Sequence, residues 1–138
     1  KEFSDRVWLS WTNRGHQPDQ LPSTEALSKA VDFSIEADVE CTLINCSHAD
    51  MASNSIKELK RASRFGIFAN SSTFKEVDLS IATKDVDAIH NLNSEEISAK
   101  EYAMIALSWA KEGAFVVGGC CGTTVEHTRE IKLLIDSL

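Results

Sequence analysis

Proline is almost missing from this chain, with two in 138 residues, and tyrosine (one) and methionine (two) are as scarce. No apolar run approaches the roughly 20 residues that a bilayer crossing needs, so no transmembrane span is expected. Positive charge is in the minority, 14 Lys and Arg against 21 Asp and Glu, for a net charge of −7. Without a basic stripe to neutralise phosphates, nucleic acid and anionic membrane are excluded as partners. The start, Lys1-Glu2-Phe3-Ser4-Asp5-Arg6, is polar and charged, unlike a secretory leader. It also lacks an initiator methionine, and the expectation is a processed or cut-out piece. Disorder is excluded by a hydrophobic fraction of 43% against 25% charged residues. What remains is one soluble, cytoplasmic domain over residues 1–138, long enough for a real core.

Four times the chain repeats a short apolar run, a polar break and a helical pattern. The runs are Val7–Trp11, Cys41–Cys46, Phe65–Asn70 and Ala114–Val117. Ser23 is expected to cap the first helix, in which Ala26, Leu27, Ala30, Val31 and Ser34 fall at helical spacing. The second helix is expected from about Ala52 to Ser63. The third should run from Ser94, read as its cap, to Lys111, with Gly113 as the stop. Before it lies a long connection, Ser71 to Asn93. Thr123 or Thr124 caps the last helix, and Thr123 with Glu126 has capping-box spacing. Near-continuous apolar strands alternating with helices predict an α/β fold with a parallel sheet buried on both faces.

Four cysteines without a secretory context point to reduced thiols, and so to metal or reactive chemistry. In parallel α/β folds function collects at the carboxyl ends of strands, where Cys46, Cys120 and Cys121 fall. Cys41 opens its strand roughly 16 Å from Cys46, and odd spacing sets the two on opposite faces, so it reads as a buried structural residue. Adjacent cysteines in a regular strand would also face opposite ways. Cys120 and Cys121 can share one site only if the backbone leaves strand geometry, which Gly118, Gly119 and Gly122 would permit through positive φ. Three thiolates at neighbouring strand ends suit Zn2+, with a fourth position left for water or substrate. The rival readings are unrelated core thiols and redox chemistry of the vicinal pair.

Gly118-Gly119-Cys120-Cys121-Gly122-Thr123-Thr124-Val125-Glu126-His127, with Ile44-Asn45-Cys46 upstream, resembles the zinc-dependent homocysteine S-methyltransferases. The resemblance implies a TIM (β/α)8 barrel in which Cys46, Cys120 and Cys121 bind zinc and the sulfur of homocysteine completes the tetrahedron. It implies methyl transfer to that thiol, forming methionine, from a donor that the sequence does not identify. Ser10-Trp11-Thr12 is similar to the family's Ser-Phe-Thr, and Ala69-Asn70-Ser71-Ser72 sits where it often has Pro-Asn-Ala-Gly. Ser10, Thr12, Asn45 and Asn70 are thereby implied in the substrate pocket wall. Val125 stands where a proline is common.

The resemblance covers essentially the whole chain but only the second half of the family's domain, strands five to eight. Four βα units cannot close a barrel and leave two open parallel edges. Cover is expected from self-association or from the missing N-terminal half-barrel. A non-catalytic zinc-binding or assembly module is the alternative function. Among other candidates, His48 reads as a non-ligand, His127 as solvent-facing, and His16 and His90 as loop residues. Trp109 shares an apolar stripe with Tyr102, Ile105 and Ala106 and reads as core. Lys57, Lys60, Arg61 and Arg64 read as a solvated face.

Overall fold

Each apolar run pairs with the next one in the chain. The computed structural model describes residues 6–13, 17–75 and 94–137. Among these, β1 (Trp8–Trp11), β2 (Cys41–His48), β3 (Phe65–Asn70) and β6 (Val116–Gly119) form one sheet in the order β1-β2-β3-β6. Every pair is parallel. Two shorter strands, β4 (Ser72–Phe74) and β5 (Ser94–Glu96), pair antiparallel beside it.

Strand alternation separates the two faces of the sheet. Trp11, Ile44, Ile67 and Val117 stand in register across all four strands. They join one core with residues of the helices α1 (Leu27–Glu36), α2 (Ala49–Asn54), α3 (Ile56–Leu59), α4 (Ala99–Lys111) and α5 (Val125–Ile135). Trp109 and Tyr102 of α4 are fully buried in that layer, as their stripe predicts, and the Trp109 indole donates to Ser53 Oγ at 2.7 Å. The opposite row, Ser10, Leu43, Gly66 and Val116, lies outside this core. Burial on both faces therefore holds for the central β2 and β3 but not for β1 and β6, which as edges remain partly exposed.

Helix boundaries follow local hydrogen bonding more than apolar spacing. Ser23 does not cap α1: its hydroxyl bonds Glu25, Thr24 turns with φ 73°, and Ala26 is the N-cap. The helix expected over 52–63 is two helices broken at Ser55. There the hydroxyl lies 3.1 Å from the Pro18 and Met51 carbonyls and accepts from Asn13 Nδ2 at 3.0 Å. Such side-chain bonding competes with the helix and here anchors the loop after β1. Ser94 belongs to β5, and α4 begins later, at a reciprocal Ser98–Glu101 capping box. Gly113, at φ 97°, follows the C-cap Glu112 as expected. Thr124 rather than Thr123 caps α5, and Glu126 pairs with Arg129 instead of closing a box. The expectations for His16, His90 and most of the connection before α4 lie outside the described residues. Among the described residues no helix is long and apolar enough to cross a membrane.

Lys60 and Arg61 make exposed ion pairs with Glu112, Asp32 and Glu58, which contribute little to stability. Arg64 is placed differently. It pairs with Glu40 at 3.1 Å and lies over the Phe115 ring at 4.6 Å. The Trp8 indole donates to the other oxygen of Glu40 at 3.1 Å, and its ring meets Phe115 edge-on at 6.3 Å. This ring of four side chains links the amino ends of the two edge strands, which three strand spacings hold about 14 Å apart.

Candidate metal centre

Regular alternation would send Cys46 to the same face as Ile44, into the helix layer. The ladder between β2 and β3 is irregular between Asn45 and His48, and Cys46 itself adopts φ 49°. A non-glycine residue in the left-handed region is uncommon and concentrates at functional sites, and a bulge re-aims a side chain. The bulge turns Cys46 toward the end of β6. Cys41, at the far end of β2, is fully buried and outside the cluster. Because alternation breaks at the bulge, strand length rather than parity keeps it away.

Cys120 and Cys121 lie just beyond β6, in a turn, as two adjacent cysteines sharing a site require. Cys120 N–H donates to the Ala69 carbonyl at 2.8 Å, while its own carbonyl accepts from Thr123 Oγ1 at 2.7 Å and Thr123 N at 3.2 Å. Of the three glycines, only Gly122 has positive φ, 75°. Gly118 and Gly119 are needed for space instead. A Cβ on Gly118 would stand 2.6 Å from the Phe68 ring, and one on Gly119 would strike the Thr123 side chain.

The sulfurs of Cys46, Cys120 and Cys121 all lie within 4.8 Å of one another. Cys120 and Cys121 Sγ are 3.9 Å apart. Cys46 and Cys120 are the pair in direct contact, with Sγ atoms at 2.50 Å and Cα atoms at 5.6 Å, while Cys121 is free and exposed. Two sulfurs each about 2.3 Å from a tetrahedral zinc stand about 3.8 Å apart. Cys120 and Cys121 stand at this spacing, and Cys46 and Cys120 stand closer than it. The three sulfurs together are the soft donor set that zinc favours, and the exposed side of the cluster leaves room for a further ligand.

Ser10, Thr12 and Asn45 come together beside the sulfurs. Asn45 Oδ1 accepts from Ser10 Oγ at 2.8 Å and Thr12 Oγ1 at 3.3 Å, and its Nδ2 donates to Cys46 Sγ at 3.5 Å. Asn70 meets the other wall, its Oδ1 accepting Cys121 N–H at 3.1 Å. Three contributors escaped the sequence reading. Ser71 N–H donates to the Cys121 carbonyl at 3.0 Å, Thr123 closes the turn, and Tyr102 Oη lies 2.8 Å from the Ala69 and Gly118 carbonyls. Ser71 and Thr123 lie inside the stretches that carry the resemblance and Tyr102 on the core stripe, but their part in the site runs through backbone atoms that only the fold brings close.

His48 is buried with Nδ1 2.9 Å from Ser72 Oγ and takes no part in the sulfur cluster. His127 does not face solvent. Its ring is buried edge-on to Tyr102, and Nδ1 accepts the Thr124 N–H at 3.1 Å. Burial, and next the charge of Glu40, push the Cys41 thiol up, which suits an inert core residue.

The family model described as homocysteine S-methyltransferase matches residues 1–135. The chain belongs to this family. It is 26% identical over 141 residues to homocysteine S-methyltransferase YbgG of Bacillus subtilis (strain 168), covering 100% of this chain and 41% of that protein. Homocysteine methyltransferase MmuM from Escherichia coli is similar in fold. Its metallated form aligns with TM-score 0.61 at 20% identity, over 93% of this chain and 35% of that one. Its oxidised form gives 0.60 at 19% identity, over 93% and 36%. The chain thus spans about two fifths of the relatives it matches.

Proposed function

We propose that this chain carries the metal-holding part of a zinc-dependent homocysteine S-methyltransferase, which transfers a methyl group to the thiol of homocysteine and forms methionine. The observation that carries the reading is the convergence of Cys46, Cys120 and Cys121 sulfurs at the carboxyl ends of two strands that are not neighbours. These three residues would hold zinc. When bound, zinc supplies a Lewis acid that keeps a substrate thiol ionised near neutral pH. Ser10, Thr12, Asn45 and Asn70 form the wall beside it, and the exposed Cys121 side gives access to homocysteine and the methyl donor. Holding zinc requires all three cysteines reduced, the state that a cytoplasmic location would maintain.

The four parallel strands correspond in this reading to strands five to eight of a TIM barrel, with the first half supplied by further chain or by a second copy. Transfer of an isotope-labelled methyl group to homocysteine, measured with and without an added N-terminal half, tests the activity. Turnover in either condition supports it. Stoichiometric zinc with no turnover in both would favour a non-catalytic zinc-binding or assembly module, a reading that the open β1 and β6 edges motivate. Self-association predicts a dimer in sedimentation at micromolar concentration, and a strictly monomeric folded species would overturn it.

A further inference from the structure

Asn45 is held at both ends of its amide. Its oxygen faces two hydroxyls, Ser10 Oγ at 2.8 Å and Thr12 Oγ1 at 3.3 Å, and its nitrogen faces Cys46 Sγ at 3.5 Å. Both hydroxyls come from the end of β1 and the residue after it, while Asn45 and Cys46 sit on β2 where its ladder breaks. We infer that Ser10, Thr12 and Asn45 form a positioning relay that aims an N–H at the Cys46 sulfur and sets the hold of the cluster on its metal.

The inference rests on reading the sulfur cluster as a metal site. A metal-bound thiolate has no proton and can only accept, so the amide must turn its NH2 toward sulfur. That leaves Oδ1 facing Ser10 and Thr12, which must then donate. The polarity of the whole chain of bonds is fixed from the sulfur end. Cys46 adopts the left-handed region, so its aim depends on neighbours more than on its own backbone preference. Groups behind a metal ligand orient it and temper its charge, and their loss typically weakens metal binding about 10- to 100-fold. Asn45, with its amide committed at both ends, acts through Cys46.

The test compares the wild-type chain with Asn45→Asp, Asn45→Ala, and Ser10→Ala combined with Thr12→Val. Zinc affinity is read by chelator competition, and the cobalt(II)-substituted chain gives the sulfur-to-metal charge-transfer band. Asn45→Asp keeps the shape but sets a carboxylate oxygen against sulfur. It is expected to lose about 10- to 100-fold in zinc affinity and to shift the band. The double hydroxyl variant should move both readouts in the same direction by less, and Ser10→Thr should stay near wild type. Far-ultraviolet circular dichroism identifies any variant that fails to fold, and the hydroxyl variant then decides. Affinity and band unchanged in folded Asn45→Asp would overturn the relay alone. A wild-type chain that binds neither zinc nor cobalt would overturn the metal reading and the relay together.

Discussion

Asn70 Oδ1 accepts the backbone N–H of Cys121 at 3.1 Å, across 51 positions of sequence. The next residue repeats the link, with Ser71 N–H donating to the Cys121 carbonyl at 3.0 Å. The last residue of β3 and the one after it thus grip both sides of one cysteine. The double-cysteine turn gains a fixed orientation although Cys121 itself is exposed.

Replacing Asn70 with Ala should leave the Cys121 N–H without its acceptor. A cost of about 1–2 kcal/mol is expected in urea unfolding. Zinc affinity should fall as well, because the turn loses its registration on β3. Unchanged stability and zinc affinity would show that the bond contributes nothing to the site.

Metal analysis of reduced protein should give near one zinc per chain if one chain holds one complete site. Cys46→Ala and Cys120→Ala should each abolish stoichiometric zinc, since two remaining thiolates make a poor tetrahedral site. Full retention in both variants would remove the assignment. Cys41→Ala should retain zinc, because Cys41 lies outside the cluster.

Tyr102 and Cys41 make stability depend on alkaline pH. Burial raises the Tyr102 phenol above its ordinary 10.0, and burial together with Glu40 raises the Cys41 thiol above its ordinary 9.0. Each is neutral when protonated and holds its proton more tightly folded than unfolded. Their stabilisation is therefore complete below the ordinary values and is lost as pH rises past them toward the folded ones. Urea midpoints measured from about pH 7 to about pH 10.5 should hold and then fall, with part of the fall removed in Tyr102→Phe. A midpoint rising with pH across the upper part of that range would contradict the sign.

Gly118→Ala should destabilise by about 1–3 kcal/mol, as overpacking does. Its Cβ would stand 2.6 Å from the Phe68 ring. Phe68→Leu in the same chain should recover part of the loss, a coupling that a double-mutant cycle reads directly. If the two effects simply add, the close approach is not the reason for glycine there.

Much of this was legible in the chain. Four apolar runs became four parallel strands in chain order, and three cysteines at strand ends came within 4.8 Å of one another. The helix starts were less legible, because apolar spacing extends through residues whose hydroxyls bond elsewhere. Ser55 binds a loop 37 residues away, and Ser23 bonds Glu25 instead of a helix N–H. The true signal for α4, Ser98 with Glu101, was present but lay four residues beyond the Ser94 chosen for it. The bulge at Cys46 had no marker, since the left-handed residue there is not glycine. Its Asn45 partner could be named from the resemblance, but the direction of its amide needed Ser10 and Thr12 in space.

The ring of Trp8, Glu40, Arg64 and Phe115 bears on how such a domain comes together. It lies at the end of the sheet opposite the cysteines and joins the first strand to the last both directly and through Glu40 and Arg64, which precede the two strands between them. Side chains thus hold β1 and β6 to each other where no backbone ladder joins them. Loss of Trp8 or Phe115 would therefore loosen the two outer strands at their amino ends, the end of the sheet away from the sulfurs.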